Sequence, residues 1–206
     1  MNAFSELPAA PRRTRRAEQR DATASSVLEA ARAEFESAGY EGASLRAIAA
    51  RAGVSAGTVL HHYGDKRELL YAVLFDALKR TLTGALAKPG PAPLESQLSR
   101  LGKRVLESYR QRPELSRVLL KESLFAQGEW ARRFTEQTAE VHAALEGWVA
   151  KAVERRELRK TADARVLAAA WLAFFYFGLI GWVQGAHPKP EQLVDALTRQ
   201  HLEGLR

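Results

Sequence analysis

Residues 44–66, SLRAIAARAGVSAGTVLHHYGDK, hold two short helical patterns separated by a glycine. Leu45, Ile48, Ala49 and Ala52 recur at helical spacing, which predicts an amphipathic helix over 45–52 with Ser44 as its N-cap. Gly53 supplies the left-handed conformation that ends a helix without a Cβ clash. Val54 is apolar inside a three-residue turn, as expected of a side chain that plugs the angle between two crossing helices. Ser55 is placed to cap a second helix, Ala56 to Tyr63, its hydroxyl accepting from the amide of Gly57 or Thr58. Ala49, four residues before Gly53, is small enough to let the two helices approach closely. The pattern predicts a helix-turn-helix whose second helix lies in a DNA major groove.

The wider segment from Gly39 to Lys66 resembles the DNA-binding signature of the tetracycline-repressor (TetR) family. The residues that carry the resemblance are Phe35 with Gly39-Tyr40, Ser44, Ile48-Ala49, Ala52-Gly53-Val54-Ser55, Gly57-Thr58, Tyr63 and Lys66. The match extends over residues 20–75. It implies an all-α fold of about nine helices: an N-terminal three-helix DNA-binding domain, then a helical ligand-binding and dimerisation domain. It further implies a homodimeric repressor, released from a palindromic double-stranded operator by a small hydrophobic or aromatic effector.

Composition agrees with a globular protein of this kind. The 206 residues are 46% apolar and 27% charged, and none is cysteine, which removes disulfides and thiolate metal sites and fits a reducing cytoplasm. No secretory signal precedes the first helix. The net charge of +7 is unevenly spread. Residues 12–20 hold five arginines against one glutamate, whereas residues 21–65 hold three arginines against six acids. Attraction for phosphate is therefore expected from the basic arm, including Arg15 and Arg16, from Arg46, Arg51 and the Lys66-Arg67 pair, and from helix N-termini.

Apolar periodicity places the remaining helices. The first runs from about 19 to 38, after a disordered arm over 1–18, and Gly39 closes it. A fourth begins after Asp65 and reaches about Leu86, and Pro89 to Pro93 break the chain. Five more follow, near 94–111, 115–125, 129–156, 163–185 and from 193 towards the C-terminus. No segment alternates with a period of two, so no sheet is expected. These boundaries give an arm (1–18), a helix-turn-helix domain (19–67) and a ligand-binding and dimerisation domain (68–206).

Val166 to Val183 carries no charge over eighteen residues, at the lower edge of a membrane span. Flanking Arg165 and the soluble character of the rest favour a buried dimer helix and no membrane. Gly178, Gly181 and Gly185 leave one strip of it without side chains, so that strip, with Phe174, Trp182 and Leu197, is the expected dimer interface.

On the recognition helix Val59 points inward, and Ala56, Gly57, Leu60 and His61 face out. The resemblance implies that positions 56, 57 and 60 approach base edges and that Thr58, His61, His62 and Lys66 lie near phosphate, with Ser55 and Tyr63 completing the surface. Arg46 matches a position that can read guanine. His62 is equally open to a packed, hydrogen-bonded role. Leu60 stands where the family usually has Tyr, and Ala56 where it often has a long polar residue, so direct base readout is thin. Candidates for an apolar ligand cavity are Tyr109, Leu119, Phe134, Val141, Trp171 and Phe175, with Glu122 and His142 as polar groups that orient a ligand or serve structure.

No phosphate-binding glycine loop, metal-ligand spacing or nucleophile–base pair is found, so no enzyme, cofactor or metal is expected. The rival reading is a helical ligand-binding or architectural protein that regulates no specific operator.

Overall fold

A computed structural model describes residues 14–87 and 90–206, which contain nine helices and no strand. They are α1 (Arg15–Gly42), α2 (Leu45–Ala52), α3 (Ala56–Tyr63), α4 (Lys66–Leu86), α5 (Leu94–Arg110), α6 (Pro113–Phe125), α7 (Gly128–Glu154), α8 (Ala164–Val183) and α9 (Pro190–Glu203). The chain divides after Leu70 into two compact units.

In the first unit, α1 begins earlier than periodicity suggests. Thr14 caps it, its hydroxyl accepting from the amide of Ala17, and Glu18 sits favourably in the positive first turn. Arg15 and Arg16 are therefore helical and exposed, not part of a disordered arm, while Arg12 and Arg13 lie outside the described residues. Gly39, at φ 69° and ψ 175°, interrupts the helix where glycine alone is comfortable. Val27, Ala31 and Phe35 of α1 are buried, as are Ile48 and Ala49 of α2 and Val59 of α3. Each large apolar side chain so buried contributes about 1.5–3 kcal/mol before entropy is charged against it.

The second unit, Tyr71–Arg206, packs α8 on both α7 and α9, with α5 also on α9. Leu98, Leu101, Val105 and Tyr109 form the buried stripe of α5. Proline occupies the first turn of α6 and of α9, where its missing N–H costs nothing, so both helices start before their first periodic leucines. α7 opens at Gly128 and closes at Glu154, buries Trp130, Phe134, Val141, Leu145 and Trp148, and faces α8. Asp163 caps α8 by accepting from the amides of Arg165 and Val166. Among the described residues α8 is the one helix long and apolar enough to cross a membrane. It buries Leu167, Ala168, Trp171, Phe175 and Leu179 within the unit.

The glycine strip of α8 serves a different purpose from the expected one. A Cβ on Gly178 would lie 2.8 Å from Cγ2 of Val194, and one on Gly181 would overlap the ring of His187. Both glycines are buried against the same chain, because the close approach they permit is that of α9 and the loop before it. Gly185 (φ 77°) is exposed and ends the helix, whereas Trp182 and Leu197 are half-buried and Phe174 packs edge-on against His201 at 5.8 Å. The large exposed apolar side chains of α8 are instead Val166 and Phe177, each 58% accessible.

Gly178→Leu should therefore unfold the second unit at lower temperature, since overpacking so close a crossing costs about 1–3 kcal/mol. A thermal melt followed by circular dichroism that matches the parent protein would disprove the intrachain role.

Candidate nucleic-acid interface and core cavity

The two short helices of the first unit are held by caps. The Ser44 hydroxyl accepts from the amide of Ala47 at 3.1 Å. Gly53 adopts the left-handed conformation (φ 69°, ψ 30°), and its N–H returns to the carbonyls of Ala49 and Ala50. Ser55 then accepts from the amide of Thr58 at 3.0 Å, and its oxygen lies 2.9 Å from the Thr58 hydroxyl. This bond fixes the start of α3 and leaves the first-turn amides of Ala56 and Gly57 for an outside acceptor.

Of the candidate DNA-facing residues, Arg46, Ser55, Gly57, Leu60 and His61 are exposed, Leu60 at 45%. Ala56, Thr58 and His62 are half-buried, the His62 ring lying 5.6 Å from that of His61 and 6.3 Å from that of Tyr63. Two candidates turn out to work inside the unit. The Tyr63 hydroxyl donates to the carbonyl of Ala24 at 2.8 Å, which points it towards α1 and away from a groove. Lys66 donates to the carbonyl of Glu41 at 3.2 Å and sits 4.6 Å from the centroid of the Tyr40 ring. One of its three donors is thus committed to tying α4 to the link between α1 and α2. Sequence reasoning missed the Tyr63 clip because nothing local to position 63 indicates which carbonyl lies across from it. It also missed the Ser26 hydroxyl, which donates to Ala52 at 3.4 Å.

In the second unit a cavity of about 50 Å³ lies among α4, α5, α7 and α8. Tyr109, Val141, Trp171 and Phe175 line it as anticipated, joined by Leu78, Gln137 and Tyr176, which were not. A neighbouring pocket of about 80 Å³ shares Tyr109 and Leu78 and includes Leu119. Phe134 belongs elsewhere, 5.7 Å from Phe75 and 6.0 Å from Trp130 in an aromatic cluster. His142 pairs with Glu146 one turn along α7 at 2.7 Å, as helical i,i+4 spacing allows, and so does not turn inward. The side chain of Glu122 lies outside the described residues. Burial, with Tyr176 nearby, raises the Tyr109 hydroxyl well above the usual phenol range, so it stays protonated. Gln137 carried a signal that could have been read: it falls on the apolar stripe between Phe134 and Val141.

Residues 27–73 match the model of bacterial regulatory proteins, tetR family. Over those residues the chain is similar to that family's DNA-binding domain. Over 159 residues it is 26% identical to the transcriptional repressor KstR of Rhodococcus jostii, covering 76% of this chain and 71% of that one. Over 142 residues it is 28% identical to the repressor AcnR of Corynebacterium efficiens, covering 68% and 71%. The fold resembles that of Thermus thermophilus FadR, a repressor solved with lauroyl-CoA, at a TM-score of 0.71 and 19% identity over 89% of this chain and 95% of that one. The chain is a DNA-binding transcription regulator and not an enzyme.

Tyr63→Phe should lower the stability of the first unit by about 0.5–1.5 kcal/mol, the usual net value of one hydrogen bond. Urea unfolding would show it, and DNA binding should weaken alike on all sequences. Loss of sequence preference with unchanged stability would place the hydroxyl on a base instead.

Proposed function

We propose that the protein is a cytoplasmic, homodimeric repressor that leaves a palindromic operator when a small hydrophobic effector enters the second unit. The carrying observation is the capped start of α3, with Gly57, Leu60 and His61 exposed along it and Arg46 exposed in the first turn of α2. Arg46 reads a base edge, Leu60 packs on a thymine methyl, and Thr58, His61, His62, Lys66, Arg15 and Arg16 approach phosphate. The DNA-binding part is residues 15–70 and the effector-binding and dimerising part 71–206, which refines the boundaries read from periodicity.

Dimerisation uses the strip of α8 that carries Val166, Ala173 and Phe177, together with Leu197 of α9. These α8 positions are separated by seven and four residues, one helical face, and a single chain leaves them uncovered. A covered strip also removes any need for a membrane. The two-fold symmetry of such a dimer requires a two-fold symmetric operator. The acyl-CoA bound by the Thermus FadR supports a small-molecule effector for this fold. Leu78 and Leu82 of α4 line the cavity, and the first turn of the same helix belongs to the DNA-binding unit, which makes α4 the lever.

Gel shifts with the upstream intergenic DNA against random competitor test the function. Specific binding should exceed non-specific binding by about 10³-fold or more, and equal binding of both would favour an architectural protein. Arg46→Ala should cost about 1–3 kcal/mol of discrimination on cognate DNA and little on random DNA. Equal losses on both would assign Arg46 to phosphate.

Phe177→Glu should turn a dimer into monomers in sedimentation at micromolar concentration while leaving the melting curve of the second unit in place. A parent protein that sediments as a monomer would remove the dimer from the proposal.

A further inference from the structure

We infer that the cavity of the second unit takes an uncharged, flat molecule bearing one hydrogen-bond acceptor, recognised by the indole N–H of Trp171 and the amide of Gln137. The inference rests on reading this unit as effector-binding and adds the chemical class of the effector. Trp171 is 3% accessible and Gln137 6% accessible, and both line the cavity. Neither the Trp171 Nε1 nor the Gln137 Nε2 has a hydrogen-bond partner. A buried N–H left unmatched is costly, and native interiors tolerate very few. Here two line one cavity. The indole nitrogen only donates, so its demand is for an acceptor, whichever way the Gln137 amide is turned.

The rest of the lining fixes the other properties of the occupant. No charged side chain borders the cavity. A carboxylate or phosphate placed there would be stripped of water with no cation to compensate, which excludes an anion from this chamber. The rings of Trp171 and Phe175 stack on one another, at 20° and 5.5 Å between centroids, and both line the cavity, which suits a flat aromatic occupant. Gly102 packs directly against these rings, since a Cβ there would lie 3.6 Å from the Trp171 ring and 3.9 Å from that of Phe175. The cavity of about 50 Å³ is smaller than an aryl ring requires. Tyr109 separates it from the pocket of about 80 Å³, so occupation proceeds through a conformer in which that ring swings aside and joins the two.

Acetophenone, ethylbenzene and benzoate share one ring and differ in acceptor and charge, which makes them suitable probes. Titration calorimetry on the full chain should find acetophenone bound about tenfold more tightly than either of the others. Gln137→Leu, which keeps the volume, and Trp171→Phe, which removes the N–H, should each shrink the preference for acetophenone over ethylbenzene. Thermal melts establish that each variant folds. Ethylbenzene or benzoate binding as tightly as acetophenone, no binding of acetophenone at its solubility limit, or an unchanged preference in both variants would each overturn the inference. The titration contains no DNA. Operator binding without ketone binding therefore sinks this inference and leaves repression standing. Ketone binding without operator release does the reverse.

Discussion

The left-handed turn at Gly53 determines where the recognition helix points. No atom lies within 4 Å of where its Cβ would be, so glycine is required there by backbone conformation and not by crowding. An L-residue at φ 69° would cost about 1–2 kcal/mol, enough to shift the angle between α2 and α3. Only Val54 and Ser55 separate Gly53 from α3, so the turn has no slack to absorb such a shift. The far end of α3 is pinned as well, by the Tyr63 hydroxyl on Ala24. Between the two anchors the inward Val59 packs where Ile48 is also buried, and the outward residues have one direction left to face.

Features whose cause lies within about four residues were legible in the sequence. The Ser44 and Ser55 caps, the Gly53 turn and the apolar stripes of α5 and α7 all follow from short-range spacing. Features set by what lies across from a residue were not. The Gly178–Gly181 strip announces a close approach without saying of what, and α9 of the same chain satisfies it as well as a second subunit would. Lys66 is equally ambiguous, because a lysine suited to phosphate is also suited to a carbonyl and an aromatic face. The cavity was half-read for the same reason. The aromatic members of α8 stand out in the sequence, whereas Leu78 joins them only through the placement of four helices.

The thin base readout of α3 and the small cavity bear on one another. With alanine at 56, glycine at 57 and leucine at 60, little of the DNA affinity comes from hydrogen bonds to base edges. In the proposed homodimer the rest comes from phosphate contacts and from two half-sites engaged at once, and linked engagement is worth about 10²–10⁴-fold over one site alone. Such avidity depends on the spacing of the two recognition helices, so an effector need not touch the DNA-binding unit to abolish it. It needs only to favour a conformer with the wrong spacing. A cavity of about 50 Å³ that must open before it can be filled supplies that difference between states. On that proposal the conformer with the small cavity disfavours the effector, so the effector's binding energy biases the opening. Linkage makes the bias reciprocal: DNA that selects the small-cavity conformer lowers effector affinity by the factor with which effector lowers DNA affinity. A coupling of about 1–3 kcal/mol, or about 5–150-fold, is typical of such pairs and falls within what loss of one half-site would remove.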